Sequence, residues 1–288
     1  MSKTKLTKNK LAKNKLINNK LINNKLSIIF IVIAVFIFLI TTAAEGNQEV
    51  IVLTYHHLVE GEPESGAELN YQDFAAQMEY LADNDYQVLS EKEFYNYREK
   101  QDFPESSVLL TFDDGYHSFK EYALPVLEEH DFPAVVFPII SSMPGLETRI
   151  IFSERLSFSE MRSLLNSELE VTFGSHSYDL HRYENDLPLI KQQPAEDEDE
   201  YHCRLRRDLR LSRDLLEDQL DRHQELVSLA WPYGYSSDEA REIARDLGFD
   251  LQFKLGDRSY DPGQDDCQIP RFGVISGDLN YFIDLLEN

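Results

Sequence analysis

Cysteine is nearly absent from this 288-residue chain, Cys203 and Cys267 being the only two. They permit at most one bridge, so a disulfide-stapled scaffold is excluded. Glycine and proline are sparse as well, at 12 and 11, beside 42% hydrophobic and 11% aromatic residues. That composition excludes collagen-like and disordered chains and leaves a globular core to be formed. Basic residues are scarce everywhere except at the N-terminus. Eight of the 28 Lys and Arg fall within the first 25 residues, ahead of the first acid, Glu45. From Glu45 onward 20 basic side chains face 52 acidic ones, a net charge of −32 over 244 residues. A body this acidic repels a phosphate backbone, so nucleic acid is not an expected partner. The charge reads as solubility rather than steering, because screening over about 8 Å at physiological salt blunts long-range attraction.

Uninterrupted apolar runs are also short. The longest, Ile28 to Ile40, has thirteen residues, which suits a signal-peptide core of about 7–15 better than a span of about 20. Upstream of it, residues 5–26 repeat a five-residue unit beginning Lys5-Leu6-Thr7-Lys8-Asn9, a period that fits neither helix nor strand. Thr42-Ala43-Ala44 offers a small-residue cleavage site, while Leu26 to Ala44 is just long enough to stay as an anchor. The expected organisation is a basic low-complexity n-region at 1–26, a signal peptide or membrane anchor at 27–44, and one exported domain at 45–288. The domain is then extracytoplasmic, either secreted or held at the cell surface through contact of residues 27–44 with the membrane.

Within 45–288, strand-like runs alternate with helix-like ones. Strands are expected at Val50–Tyr55, Tyr86–Leu89, Val108–Phe112, Ala134–Ile140, Val171–Ser175, Leu226–Trp231, Leu251–Leu255 and Ile269–Ile275. Helices are expected at Tyr71–Asn84, Glu91–Lys100, Tyr116–His130, Ser159–Leu165, Tyr201–Glu225, Ser237–Leu247 and Leu279–Leu286. Leu205, Leu209, Leu216 and Leu220 give the longest helix a buried stripe, Ser236 or Ser237 caps the next, and Gly248 ends it. The stretch Leu187–Glu200, with its acidic run, reads as a surface loop. Such alternation predicts an α/β domain with a parallel sheet, open or closed into a barrel.

Four segments carry chemistry. Leu109 to Gly115 ends an apolar strand in Asp113 and Asp114 followed by a turn glycine. Adjacent carboxylates there repel unless a cation or proton sits between them, and a metal on one leaves the other free as a base. Gly174 to His181 runs a second strand into His176 and His181, and two imidazoles with one carboxylate make a common catalytic zinc shell. Trp231-Pro232-Tyr233-Gly234 ends a third strand, with aromatics suited to sugar rings or to a core. Ile269-Pro270-Arg271-Phe272 places one Arg inside an apolar strand, where it needs a carboxylate partner. His56 and His57 close the first strand and point opposite ways, so at most one faces a shared site. The remaining histidines, His117, His130, His202 and His223, lie in expected helices and read as solvated.

These residues, in this order, resemble the polysaccharide deacetylases (NodB-homology proteins, carbohydrate esterase family four). Thr111 to Gly115 is similar to that family's first motif and His176 to His181 to its second. The histidine spacing, Tyr55-His56, Trp231 to Gly234 and Ile269 to Arg271 resemble the intercellular-adhesion branch, which acts on poly-β-1,6-N-acetylglucosamine in biofilm matrix. The resemblance implies a distorted (β/α) barrel of about seven strands in a single domain. It implies a metal-dependent hydrolase of the C–N bond that releases acetate from an N-acetylglucosamine polysaccharide. Asp114, His176 and His181 would hold a divalent metal, zinc first, with cobalt or nickel as alternatives. Asp113 would be the base, Arg271 would orient it, the backbone N–H of Tyr233 would stabilise the oxyanion, and Trp231, Pro232 and Tyr233 would meet the sugar.

One departure stands out. The family's terminal Leu-x-His motif has no counterpart, since no histidine follows His223. His56 is the expected substitute for the proton donor. The competing expectations are a deacetylase of β-1,4 glycans such as peptidoglycan or chitin, an O-acetyl esterase, and a polysaccharide-binding protein whose catalysis has decayed.

Overall fold

The alternation folds into parallel strands joined by helices in the computed structural model, which describes residues 49–146, 154–220, 228–263 and 268–287. The expected n-region and anchor lie outside these residues, as do His223 and Cys267. No helix among the described residues is long and apolar enough to cross a membrane.

Twelve strands are described: β1 (Ile51–Tyr55), β2 (His57–Val59), β3 (Glu68–Asn70), β4 (Gln87–Val88), β5 (Ser107–Asp114), β6 (Ala134–Pro138), β7 (Val171–Phe173), β8 (Tyr183–Glu184), β9 (Leu187–Pro188), β10 (Ser228–Ala230), β11 (Leu251–Leu255) and β12 (Ile269–Gly273). The α-helices are α1 (Tyr71–Asp83), α2 (Glu91–Lys100), α3 (Leu124–His130), α4 (Phe158–Leu165), α5 (Glu198–Gln219), α6 (Asp238–Asp246) and α7 (Leu279–Leu286). Seven parallel strands run in the order β10-β11-β12-β1-β5-β6-β7, with β4 paired to the start of β5. A parallel bridge between Ser175 and Leu229 brings the two ends together, so the barrel is nearly closed. The expected barrel of about seven strands is therefore what forms.

Period-two alternation sorts the side chains into layers. Val52, Leu109, Val135, Phe137, Leu251, Phe253 and Ile269 form one buried cluster, which α2 joins through Phe94. Their neighbours Leu53, Leu110, Phe112 and Val136 belong to a second, packed with Phe74 and Met78 of α1 and Leu127 of α3. A third joins Leu205 and Leu209 of α5 to Leu229, Trp231 and Ile243. β5 is buried along its whole length, as expected for a parallel strand covered on both faces. Gly174 lets the strands meet at the closure, for a Cβ there would lie 2.3 Å from the Phe137 ring and 2.4 Å from Ser228 Oγ.

Two expectations change. The acidic run is not loop: Asp197 caps α5 and forms a capping box with Glu200, with Glu198, Asp199 and Glu200 in the first turn. Carboxylates are favoured there because they accept the free N–H groups and oppose the helix dipole. The expected helix Tyr116–His130 is a turn, then a wide π-turn at Phe119–Ala123, then α3. Pro125, in the first turn of α3, has no N–H to return to the preceding carbonyls, so the tighter helix cannot extend back through it.

Buried charge sits at the base of α2. Glu91 is 2% exposed, and its Oε1, Thr172 Oγ1 and Ser228 Oγ all want a hydrogen-bond partner. Burial pushes its carboxyl up to about 7, against the pull of those nearby hydroxyls. An acid raised in the fold contributes nothing while it is protonated in both states, and a growing penalty as pH rises from its unfolded value, near 4.5, through 7. Glu91→Gln is expected to raise stability by up to about 3 kcal/mol at pH 8 and by little at pH 5. Thermal melts at both pH values check this; an equal shift at each would be incompatible with a titrating carboxyl as the cause.

Candidate functional site

Because the strands are parallel, their C-terminal ends share one rim, and the four chemical segments converge there. β5 supplies Asp113 and Asp114. Strict alternation would send them to opposite faces, but Asp114 has φ +68° and Gly115 φ +70°, which turns the second carboxylate back toward the first. A side chain at Gly115 would meet Pro138 at 2.7 Å, so this turn depends on glycine. Asp114 is one of three non-glycine residues at the rim in the left-handed region, with Ser177 at +71° and Tyr233 at +57°. Such strain is held where the surroundings over-determine it, as in ligand-binding loops.

Asp114 Oδ1 lies 3.5 Å from His176 Nε2 and 3.7 Å from His181 Nε2. One ligand atom from each of the three residues lies within 4.8 Å of the others. Asp114 Oδ1 is buried with no hydrogen-bond partner. His176 Nδ1 lies 2.7 Å from the Ala230 carbonyl oxygen and can only donate to it, which aims Nε2 toward Asp114 as the nitrogen available to a metal. Burial pushes His181 down to about 4, so its imidazole is neutral at pH 7 and can act as a ligand. One carboxylate oxygen and two imidazole nitrogens thus converge on one point. Two imidazoles and a carboxylate fit a divalent cation of the zinc type with further positions open.

Asp113 stands beside this trio. Its two oxygens accept from Arg271 Nη1 and Nη2, each at 2.7 Å. Arg271 is 0% exposed and lies over the rings of Phe137 and Phe253, so the lone Arg of β12 has the carboxylate its burial required. Nη1 also donates to Thr111 Oγ1 at 3.1 Å, and that hydroxyl donates to the Leu53 carbonyl. Burial pushes the Asp113 carboxyl up, but Arg271 outweighs it, helped by His176 and His56, and the group lies well below the usual carboxylate range. Asp113 is therefore ionised at neutral pH.

His56 faces the site, with Nε2 4.0 Å from Asp113 Oδ2. His57 turns away: its Nδ1 lies 2.9 Å from Ser118 Oγ and its ring stacks on Tyr116 at 4.5 Å. Tyr116, which the sequence did not single out, carries the Arg155 guanidinium 3.6 Å above its ring. Nothing in its spacing marked it, because the segment that brings Arg155 to it is non-local. Tyr233 is 38% exposed and its ring packs 4.2 Å from that of His181. Trp231 is a correction. It is 0% exposed, its indole N–H donates to Gln252 Oε1, and it belongs to the cluster under α5 and α6. Pro232 is buried too, so of the three expected sugar contacts only Tyr233 presents a surface. The Asp179 carboxylate, between the two histidines in sequence, accepts from Ser141 and Arg182. His117, expected to be solvated on a helix, lies in a turn with Nε2 3.1 Å from Glu160 Oε1.

Known proteins share this arrangement of chain. The polysaccharide deacetylase family profile matches residues 100–251, a little over half of the sequence. A poly-beta-1,6-N-acetyl-D-glucosamine N-deacetylase of Staphylococcus aureus is 30% identical over 207 residues, 71% of this chain and 67% of that protein. Its counterpart in Staphylococcus epidermidis is 26% identical over 208 residues, 72% and 68% of the two chains. Among solved structures, IcaB from Ammonifex degensii superposes with TM-score 0.71 at 24% identity, covering 84% of this chain and 98% of that one. The de-N-acetylase from Aggregatibacter actinomycetemcomitans gives TM-score 0.69 at 24% identity, covering 82% and 100%. At those identities the superpositions speak for the fold, while the sequence matches speak for descent: the chain belongs to the polysaccharide deacetylase family.

Proposed function

We propose that the protein removes acetyl groups from poly-β-1,6-N-acetyl-D-glucosamine outside the cytoplasm, in formation of a biofilm matrix, with a divalent cation at Asp114, His176 and His181. The observation that carries the chemistry is the orphaned, buried Asp114 Oδ1 facing two imidazole nitrogens, with the Asp113–Arg271 pair beside it. The choice of polymer is supported by the names of the staphylococcal relatives. The export that such a substrate requires is supported by the apolar run at 28–40 and its basic flank.

A cation held by Asp114, His176 and His181 would supply Lewis acidity toward the acetamide carbonyl and the attacking water. Asp113, ionised and aimed by Arg271, accepts the proton of the attacking water. The backbone N–H of Tyr233 donates to the oxyanion that develops on the acyl oxygen, while its ring, exposed against His181, offers a face to the sugar. His56 gives a proton to the departing nitrogen as the C–N bond breaks. Water and the acetamide thereby become acetate and a free amine on the glycan.

Acetate release from β-1,6 and β-1,4 N-acetylglucosamine oligomers, with zinc and with chelator, tests this reading. Release from the β-1,6 oligomer alone, abolished by chelator and restored by zinc, is expected. Preference for β-1,4 linkages would move the substrate to a cell-wall or chitin-type glycan. Release that survives complete chelation would remove the cation from the reaction, and binding without release would make the protein a lectin-like relative of the enzymes.

A further inference from the structure

In the segment joining the two histidines each N–H from 177 to 180 goes to a side chain, while the Ser177 and Tyr178 carbonyls accept from Ile140 N and Ser141 N. Ser177 N donates to Ser175 Oγ, Tyr178 N to Asp208 Oδ1, Asp179 N to Asp208 Oδ2, and Leu180 N to Ser177 Oγ. Both bonds to Asp208 are 2.9 Å long. Ser177, in the left-handed region, makes the successive N–H groups of 178 and 179 point the same way, which is the geometry of an anion-binding nest. The anion is a side chain of this protein. Asp208 projects from the middle of α5, some thirty positions along the chain, with Ser212 one turn on and on the same face. Ser212 Oγ donates to the Leu209 carbonyl and lies 2.8 Å from Ser175 Oγ. Its one proton being committed, Ser212 accepts from Ser175, which in turn accepts from Ser177 N. One helix therefore grips the segment at two places, between the two imidazoles and just before the first.

We propose that Asp208 is a positioning residue for the cation site: by filling the nest at Tyr178–Asp179 it sets the separation and aim of His176 and His181, and so the affinity of the site, without touching the cation. Ser212 is the lesser half of the same grip. Asparagine cannot replace Asp208, because its Nδ2 would set a donor against an N–H that needs an acceptor. The inference rests on the reading of Asp114, His176 and His181 as ligands. Burial pushes the Asp208 carboxyl up to about 7 against the pull of the two N–H groups, so the comparison belongs at pH 8.

The experiment is zinc affinity by chelator competition on the purified protein, for wild type, His176→Ala, Asp208→Asn, Ser212→Ala and the exposed control Asp214→Asn, with melting of each metal-free protein recorded. Cobalt(II) spectra of the loaded proteins report ligand geometry. The expected result is one zinc bound by wild type and lost in His176→Ala. Asp208→Asn should show a dissociation constant raised about 10-fold or more and altered cobalt d–d bands, and Asp214→Asn no change. A wild type that binds no zinc, or binds it equally with His176→Ala, refutes the ligand reading itself. A folded Asp208→Asn with affinity within twofold of wild type and an unchanged cobalt spectrum overturns this inference alone, reducing Asp208 to a stabiliser of α5. Should Asp208→Asn not fold, Ser212→Ala decides: a raised dissociation constant and shifted cobalt bands sustain the proposal, and wild-type values for both overturn it.

Discussion

Arg271→Met is expected to destabilise the domain by about 3–5 kcal/mol, the cost of leaving one member of a buried ion pair alone. For a domain of this size that is a fall of about 6–20 °C in melting temperature. The carboxylate left behind, Asp113, is 3% exposed and loses both of its 2.7 Å donors at once. Asp113→Asn is expected to cost a similar amount for the converse reason, since it strands a guanidinium in the barrel over Phe137 and Phe253. The double variant Arg271→Met/Asp113→Asn removes both charges and should recover most of the loss, so the two single effects will be far from additive. Turnover behaves differently. Loss of the proposed base should lower kcat by about 100- to 10,000-fold in Asp113→Asn, and the double variant, though stable again, should stay as inactive. Arg271→Lys should rescue neither property fully, because one ammonium cannot replace a two-pronged fork. Melting curves and acetate release on the same four proteins settle the matter. Additive stability losses, or a double variant that regains turnover, would show that the pair is not the functional unit proposed.

His56→Ala is expected to lower kcat by about 100-fold or more, and His57→Ala by less than 10-fold, the range for loss of a general acid against loss of a neighbour. The two residues are adjacent in sequence and opposite in space. His56 reaches toward Asp113, while His57 is held by Ser118 and Tyr116. A second substrate separates a proton donor from a residue that merely shapes the site. An acetamide needs its nitrogen protonated to leave, whereas an aryl acetate releases a stable phenolate. The His56→Ala deficit should therefore be large on the glycan and small on the aryl ester. Equal deficits on both substrates, or at both histidines, would assign the proton to another group.

The barrel and the residues that converge at its rim were legible because each rests on a local pattern. Alternating apolar strands read as parallel β, and Asp113-Asp114, the His176–His181 spacing and the lone Arg271 stood out against strand ends. What escaped was non-local or two-sided. Trp231 reads equally as a sugar platform or as core, and only the packing of α5 and α6 against it decides for core. The run Glu196–Glu200 has loop composition, yet helix starts favour the same acids, and the capping box tips the balance. Asp208 is invisible in sequence, being one acid among many on a charged helix until the fold sets it against the backbone between two histidines.

The near-closure of the barrel carries a last consequence. Neighbouring strands around the sheet share two to five register pairs, but among the described residues β7 and β10 meet through the single Ser175–Leu229 bridge. That seam is stitched by Ser175 N to Ser228 O, Ala230 N to Ser175 O, and the His176 imidazole to the Ala230 carbonyl. The sheet is thus a curled ribbon fastened by a clasp, and one stitch of the clasp is a residue proposed to hold the cation. A cation at the proposed site would bind a residue that also fastens the ribbon's two free edges, so loading the site should stiffen the hoop at its seam.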